Sequence, residues 1–249
     1  MSWVIDLDGV VWLGDEPIPG AAEALGRLRA EGEAVAFVTN NSYWRPADVA
    51  AKLERHGIDP RDDVLTSAMA AATLTQSGER VLVCGGPGAV EAVTQRGGIV
   101  VGSSSADAVV VGYNPSFDYA QMRLAATAVR RGARLIATND DATYPTTDGP
   151  VPGAGSILAS IVTASGAVPV VAGKPNAPMV ELVRDHIGSA GVVIGDRPET
   201  DGRFAEAMDF RFGLVLSGVT HEADLPVVPR PDIVAADLAT LVAQELVAR

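Results

Sequence analysis

The run Val4-Ile5-Asp6-Leu7-Asp8-Gly9-Val10-Val11 sets two carboxylates two positions apart at the end of an apolar, β-branched segment. Such a segment suits a buried central strand. In extended backbone, residues i and i+2 face the same side, so Asp6 and Asp8 point into one small volume. There each raises the other's pKa unless a cation lies between them. Buried, uncompensated charge is unfavourable, so the pair needs a reason. Gly9 permits the tight turn that follows. An acidic turn closing an ordinary strand would account for this run equally well, and the rest of the chain has to decide.

Three more expected strand ends carry polar groups. Thr39-Asn40 closes a strand over 34–38, Lys174 follows one over 169–172, and Asp196 follows one over 191–194. Asp201 stands in the first turn of a helix expected over 199–208. In a doubly wound sheet such ends lie along one edge, where ligands bind. Three carboxylates, a hydroxyl and an ammonium at one edge suit a divalent cation and a phosphoryl group. Mg²⁺ takes oxygen ligands and keeps several waters, so a few carboxylate or carbonyl groups suffice. Lys174 supplies fixed positive charge, the Thr39 hydroxyl one hydrogen bond and the Asn40 backbone N–H a second. Phosphoryl transfer asks mainly for positioning and for charge on the equatorial oxygens.

The elements that must position these groups alternate between strand and helix, the mark of a parallel α/β sheet. After the opening strand, 12–20 reads as a Gly/Pro-rich loop. Apolar spacing predicts a helix over 21–30, and Pro46 opens another that stops at Gly57. A short strand at 64–65 and a helix over 68–76 follow. From Arg80 a second series begins: strands over 80–84, 108–111 and 134–137, helices over 89–95, 119–130 and 156–164, and a turn-rich stretch up to Gly155. The first pattern then resumes, with helices over 178–186 and 199–208, strands over 211–216 and 233–235, and a closing helix over 238–248. The expected architecture is a Rossmann-like doubly wound core, residues 1–78 and 168–249. An α/β domain, 79–167, is inserted with hinges near Gly78 and Gly166.

Of the 249 residues, 47% are apolar, enough for a full core, and no stretch has a disordered composition. The net charge of −12 argues against a nucleic-acid or anionic-membrane surface, which needs a basic patch. No apolar run approaches the roughly 20 residues of a membrane span. Cys84 is the only cysteine, so no intrachain disulfide forms. With no targeting segment before the first strand, this favours the cytoplasm. Cys84 itself reads as a buried small hydrophobe.

The sequence resembles the haloacid dehalogenase-like (HAD) phosphatases, in the subfamily with a large α/β cap inserted in mid-chain. That subfamily includes 4-nitrophenyl phosphatases, phosphoglycolate and glycerol-phosphate phosphatases, pyridoxal phosphate phosphatases and a nucleotidase. Asp6-Leu7-Asp8-Gly9-Val10 matches the first family motif, Val38-Thr39-Asn40-Asn41 the second, Gly173-Lys174-Pro175 the third, and Gly195-Asp196-Arg197 with Glu199-Thr200-Asp201 the fourth. Each alone is weakly specific, whereas all four in order are strong evidence. Ala137-Thr138-Asn139 and Pro152-Gly153-Ala154-Gly155 also look like this cap type.

The resemblance implies a role for each matching residue. Asp6 is the nucleophile that becomes an aspartyl phosphate, and Asp8 protonates the leaving oxygen and later takes a proton from water. Thr39, Asn40 and Lys174 bind the phosphoryl group. Asp6, the Asp8 backbone carbonyl and Asp196 hold Mg²⁺, and Asp201 orients the metal's waters from behind. Pro198 within the fourth motif and Gly202 after it depart from the usual form, which bears on the loop but removes no ligand. Asp8 favours phosphate-ester hydrolysis over dehalogenation, which needs neither a second acid nor a metal. The implied substrate is a small-molecule phosphate ester, and caps of this type often form dimers.

Rival readings are a phosphotransferase or mutase using the same aspartyl phosphate, and a phosphate-binding regulatory module without turnover. Helix capping competes for Thr39 and Asp201. In the insert, Asn139 and Asp141 either reach the leaving group or form an Asx-type turn. Gly85–Gly88 lacks dinucleotide-loop spacing and reads as a strand–helix turn. His56, His186 and His221 read as solvated surface, Trp12 and Trp44 as cleft lining or packing, and Arg197 as an ion-pair partner.

Overall fold

The computed structural model describes residues 1–146 and 149–247. Thr147 and Asp148 in the turn-rich stretch, and Ala248, the expected last residue of the closing helix, lie outside the described residues. In chain order the first elements are β1 (Ser2–Ile5), β2 (Trp12–Leu13), β3 (Glu16–Pro17), α1 (Ala21–Ala30), β4 (Ala34–Thr39), α2 (Pro46–Arg55), β5 (Val64–Thr66) and α3 (Ser67–Ala72). Next come β6 (Arg80–Cys84), α4 (Pro87–Gln95), β7 (Ile99–Val100), β8 (Ala108–Val111), α5 (Tyr119–Arg130), β9 (Arg134–Ala137), β10 (Thr143–Thr146), β11 (Gly149–Pro152) and α6 (Ala154–Ser165). The chain closes with β12 (Val170–Val171), α7 (Ala177–Ile187), β13 (Gly191–Gly195), a π-helical turn (Pro198–Gly202), α8 (Arg203–Met208), β14 (Arg211–Val215), β15 (Ile233–Ala235) and α9 (Leu238–Val247).

Contacts divide the chain into two compact units. The first comprises Met1–Thr39, Val49–Leu65 and the chain from Lys174 onward. Its six-stranded sheet has the order β15-β14-β13-β1-β4-β5, and β1 pairs in parallel with both β13 and β4. Trp3 and Ile5 of β1 join a cluster with Leu25 and Leu28 of α1 and Leu238, Leu241 and Val242 of α9. Val4, between them, turns to the opposite face by strand alternation. α7 and α8 pack on β4, β13 and β14 through the fully buried Met179, Phe204 and Met208. Burying each such side chain contributes about 2 kcal/mol. Helices on both faces of a parallel sheet give the doubly wound architecture expected from the sequence.

The second unit comprises Asn40–Asp48 and Thr66–Gly173. Its parallel five-stranded sheet has the order β12-β9-β8-β6-β7, beside an antiparallel β10–β11 hairpin. The Gly78 hinge position falls inside this unit, because α3 packs on α4. β12 corrects the sequence reading. It was expected to open the return of the first series, but it pairs in parallel with β9, Val170 opposite Ile136. The β9–α6–β12 connection returns the chain to the neighbouring parallel position, as βαβ units do. Two further differences are the short hairpin β2–β3 within the expected 12–20 loop and the π-helical turn that opens the expected 199–208 helix. No helix among the described residues is long and apolar enough to cross a membrane.

Candidate active site

Asp6 directly follows β1, Thr39 ends β4, and Asp196 directly follows β13. These strands are neighbours in the order β13-β1-β4, and the sequence runs outward from β1 in both directions. β1 therefore flanks the topological switch point, where open α/β sheets leave a crevice at the carboxyl ends of the strands. The Asp6 N–H donates to the Ile194 carbonyl at 2.9 Å, which fixes Asp6 beside the chain leading to Asp196.

After Asp6 the backbone turns tightly. The N–H groups of Val11 and Trp12 both donate to the Leu7 carbonyl, and the Gly9 N–H donates to the Trp12 carbonyl at 2.7 Å. Gly9 adopts φ +84°, and a Cβ there would lie 2.3 Å from Asp196 Oδ2, so both conformation and space require glycine. This turn carries the Asp8 carboxylate, whose Oδ1 accepts a hydrogen bond from the Trp12 indole N–H at 3.1 Å.

Lys174 reaches the same spot by another route. It does not extend a strand of the six-stranded sheet, since β12 lies in the other sheet. It sits between Gly173 and α7, with its Nζ 2.6 Å from Asp6 Oδ1 and 2.6 Å from Asp201 Oδ1. Lys174 is 3% exposed and Asp201 1%. Asp201 is delivered by the π-helical turn, and its Oδ2 accepts the Arg197 backbone N–H at 3.1 Å. The unusual Pro198 and Gly202 thus frame a turn that still brings Asp201 to Lys174. Gly195 makes room for it, because a Cβ there would lie 2.2 Å from the Asp201 carboxyl carbon.

Asp196 is held by the segment after β14, which sequence reading passed over. Its Oδ2 accepts the Val219 N–H at 2.7 Å, and its backbone carbonyl accepts the Thr220 hydroxyl at 2.6 Å. The Ser217 hydroxyl donates to the Gly9 carbonyl at 2.7 Å. Ser217-Gly218 lies just beyond the carboxyl end of β14 in this sheet, and that was the available signal. The other oxygen of Asp196, Oδ1, is buried and has no hydrogen-bond partner. Carboxylate oxygens of Asp6, Asp196 and Asp201 lie within 4.8 Å of one another. A buried acceptor without a donor, inside a carboxylate cluster, fits an oxygen-seeking divalent cation.

The electrostatics agree. Burial holds the Asp6 carboxyl well above its ordinary range, with Lys174 opposing and Asp201 and Asp196 adding to the rise. Burial, reinforced by Asp201, pushes Asp196 up to about 7. Burial also raises Asp8, partly offset by the Trp12 hydrogen bond. Burial disfavours the Lys174 charge, but the Asp201 and Asp6 carboxylates more than compensate, and its pKa lies above the ordinary lysine value. One ammonium therefore does not fully neutralise the gathered acids.

This predicts an unusual pH response. An acid whose folded-state pKa is raised holds protons that the unfolded chain has already released. Without a divalent cation, stability therefore falls as pH rises from about 4, the unfolded value, through about 7, the folded Asp196 value. A divalent cation needs the ionised form, so the stabilisation that it gives grows across the same window. Thermal melts over this range with and without Mg²⁺ should diverge as pH rises, and a constant difference would contradict the assignment.

The remaining sequence candidates gather within the second unit. The Asn40 carbonyl accepts the Ser67 hydroxyl and the Asn139 side-chain amide, each at 2.6 Å. The Asn40 amide donates to Asp141 Oδ2 at 3.1 Å, and the Asp141 N–H donates to Asn139 Oδ1 at 3.1 Å. The last bond is the Asx turn weighed in the sequence, and Asn139 is buried in it. Tyr43, Tyr113 and Tyr144 form a cluster in the same unit, with Tyr113 and Tyr144 stacked at 5.4 Å and Asn41 donating to the Tyr144 hydroxyl. Scattered aromatics gave no signal for it.

Two minor expectations resolve differently. His56 is half-buried, with its ring 6.0 Å from that of Trp12. His186 is exposed, as expected, and faces Asp63 at 3.3 Å. Arg197 acts through its backbone, and its guanidinium makes no ion pair among the described residues. Cys84 is buried, and burial pushes its thiol up to about 12, which makes it no nucleophile.

Residues 3–98 match the model of haloacid dehalogenase-like hydrolases, and residues 171–241 match a second HAD-hydrolase-like model. The chain is 38% identical to D-glycerol 3-phosphate phosphatase of Mycobacterium tuberculosis, over 96% of this chain and 70% of that protein. The chain belongs to the haloacid dehalogenase-like hydrolases. It is also 33% identical to dihydroxyacetone phosphatase of Corynebacterium glutamicum, over 97% of this chain and 90% of that one. Among solved structures, p-nitrophenyl phosphatase of Archaeoglobus fulgidus superposes with a TM-score of 0.92 at 30% identity, covering 98% of each chain. Glycerol phosphate phosphatase of M. tuberculosis, in complex with magnesium, superposes with a TM-score of 0.88 at 36% identity, covering 96% of this chain and 75% of that one. Within the family this enzyme is a phosphatase.

Proposed function

We propose that the enzyme hydrolyses small-molecule phosphate monoesters with Mg²⁺ through an aspartyl phosphate on Asp6. The observation that carries this is the meeting of Asp6, Lys174 and Asp201 at 2.6 Å contacts beside the partnerless Asp196 oxygen. Asp6, the Asp8 carbonyl and Asp196 would hold the ion, with Asp201 behind them. When bound, Mg²⁺ would offset the charge of the carboxylates and of the phosphoryl oxygens. Lys174 keeps the Asp6 oxygen aligned and lends positive charge to the phosphoryl group, and the Thr39 hydroxyl and Asn40 N–H donate to it.

Asp6 Oδ attacks phosphorus while the bond from phosphorus to the ester oxygen breaks. Asp8 gives its proton to that leaving oxygen. Water then attacks the acyl phosphate, Asp8 takes a proton from it, and phosphate leaves with Asp6 regenerated. In this reading the first unit is the catalytic core and the second, inserted unit is the cap that selects the leaving group. Asn139 and Asp141 serve it by fixing Asn40. Substrates of the relatives, glycerol phosphate, dihydroxyacetone phosphate and 4-nitrophenyl phosphate, frame the expected class: a phosphate on a small polyol or aryl group. A panel of such esters assayed with and without Mg²⁺ tests the proposal. Turnover of several small esters that is lost on chelation is expected, and metal-independent turnover would refute the Mg²⁺ role.

A further inference from the structure

Trp12 lies outside the family motifs quoted above, yet it makes the one side-chain hydrogen bond recorded for Asp8 among the described residues. Its indole is fixed from several directions. It is 4% exposed and belongs to the apolar cluster under the sheet. The Lys52 ammonium stands 4.3 Å from the ring centroid and donates to the Gly14 carbonyl at 2.5 Å, and His56 packs 6.0 Å away. The backbone turn that Gly9 permits sets Trp12 across from Asp8. Nothing in this arrangement leaves the indole N–H a choice of direction.

We propose that Trp12 is a positioning residue that decides which oxygen of Asp8 carries the transferable proton. The inference rests on the reading of Asp8 as the acid. An indole N–H can only donate, so the Asp8 oxygen facing it, Oδ1, must accept. When Asp8 is protonated, its proton therefore sits on Oδ2. That oxygen passes the proton to the leaving ester oxygen as the bond to phosphorus breaks, and the Asp8 carboxylate later recovers a proton from the hydrolytic water. Without the indole N–H the carboxyl rotates and its proton is shared between two oxygens, one of them wrongly placed.

The signature is a dependence on the leaving group. 4-Nitrophenolate is stable enough to depart unprotonated, whereas an alkoxide such as that of glycerol is not. Replacing Trp12 by benzothienylalanine keeps the ring shape and removes only the donor, and Trp12→Phe is a simpler companion. The readout is first-turnover release of the alcohol by rapid quench, which isolates the step in which Asp8 gives its proton. The expected result is a fall of about 10-fold or more with glycerol phosphate and less than about two-fold with 4-nitrophenyl phosphate, a fraction of what a general acid supplies. Retained aryl-ester turnover shows that the variants fold. Asp8→Asn, measured alongside, should show the same selectivity more strongly. If Asp8→Asn slows both esters alike, the reading of Asp8 as the acid fails. If Asp8→Asn is selective and the Trp12 variants are not, including by slowing both esters alike, the positioning role is overturned.

Discussion

Asp6→Asn is expected to reduce phosphatase turnover by at least about 10⁴-fold, the scale on which loss of a covalent nucleophile is felt. The substitution is nearly isosteric and leaves an oxygen to accept the Lys174 hydrogen bond now made at 2.6 Å. It also removes one of three crowded acids, a carboxyl whose pKa burial and its neighbours drive upward. Without divalent cation, the melting temperature should therefore hold or rise while activity disappears. Loss of activity with loss of fold would assign Asp6 a structural role instead. Steady-state assays beside thermal melts separate the two.

Lys174→Met should damage both properties at once. The ammonium is 3% exposed and bridges two carboxylates, and the Asp201 it leaves behind is equally enclosed. Removing one member of a buried ion pair costs about 3–5 kcal/mol, because the abandoned charge stays buried. A loss of that size lowers the melting temperature by roughly 10 °C in a chain of this length. Activity should fall by about 10²–10³-fold through loss of charge at the phosphoryl group. The two effects are separable by pH, since protonating the abandoned Asp6 carboxyl, whose pKa burial already raises, relieves only the first. Melts should therefore recover on acidification toward about pH 5 while turnover does not. A variant as stable as wild type at neutral pH would show that the acids are neutralised by something other than Lys174.

Much of this arrangement was written locally in the chain. Strands such as Arg80–Cys84 and helices such as Ala21–Ala30 and Tyr119–Arg130 stand where apolar spacing and flanking glycines put them. Asp6, Thr39 and Asp196 were legible because each closes a buried strand of one parallel sheet, and an acid or hydroxyl there has few structural reasons. What was not legible depends on partners far along the chain. β12 is apolar like any short buried strand, and only its pairing with β9 decides its sheet. Lys174 was therefore expected behind a strand of the core sheet, whereas it reaches Asp6 from a turn. The hairpins β2–β3 and β10–β11 are too short or too rich in Pro and Thr to show alternation. Trp12 is four residues from Asp8, but the contact exists only because Gly9 takes a left-handed conformation between them. Val219 and Thr220 act largely through backbone and hydroxyl groups that hold Asp196, a role that residue type alone does not reveal.

The claim that Asp6 forms a covalent bond to phosphorus is tested most directly by trapping it. Enzyme turning over 4-nitrophenyl phosphate with Mg²⁺ is quenched with borohydride, which reduces an acyl phosphate to the alcohol, and the peptide spanning Ser2–Leu13 is examined by mass spectrometry. Homoserine is expected at position 6, dependent on substrate and absent without it. An unmodified Asp6 during active turnover, or homoserine appearing at Asp196 or Asp201 instead, would contradict it.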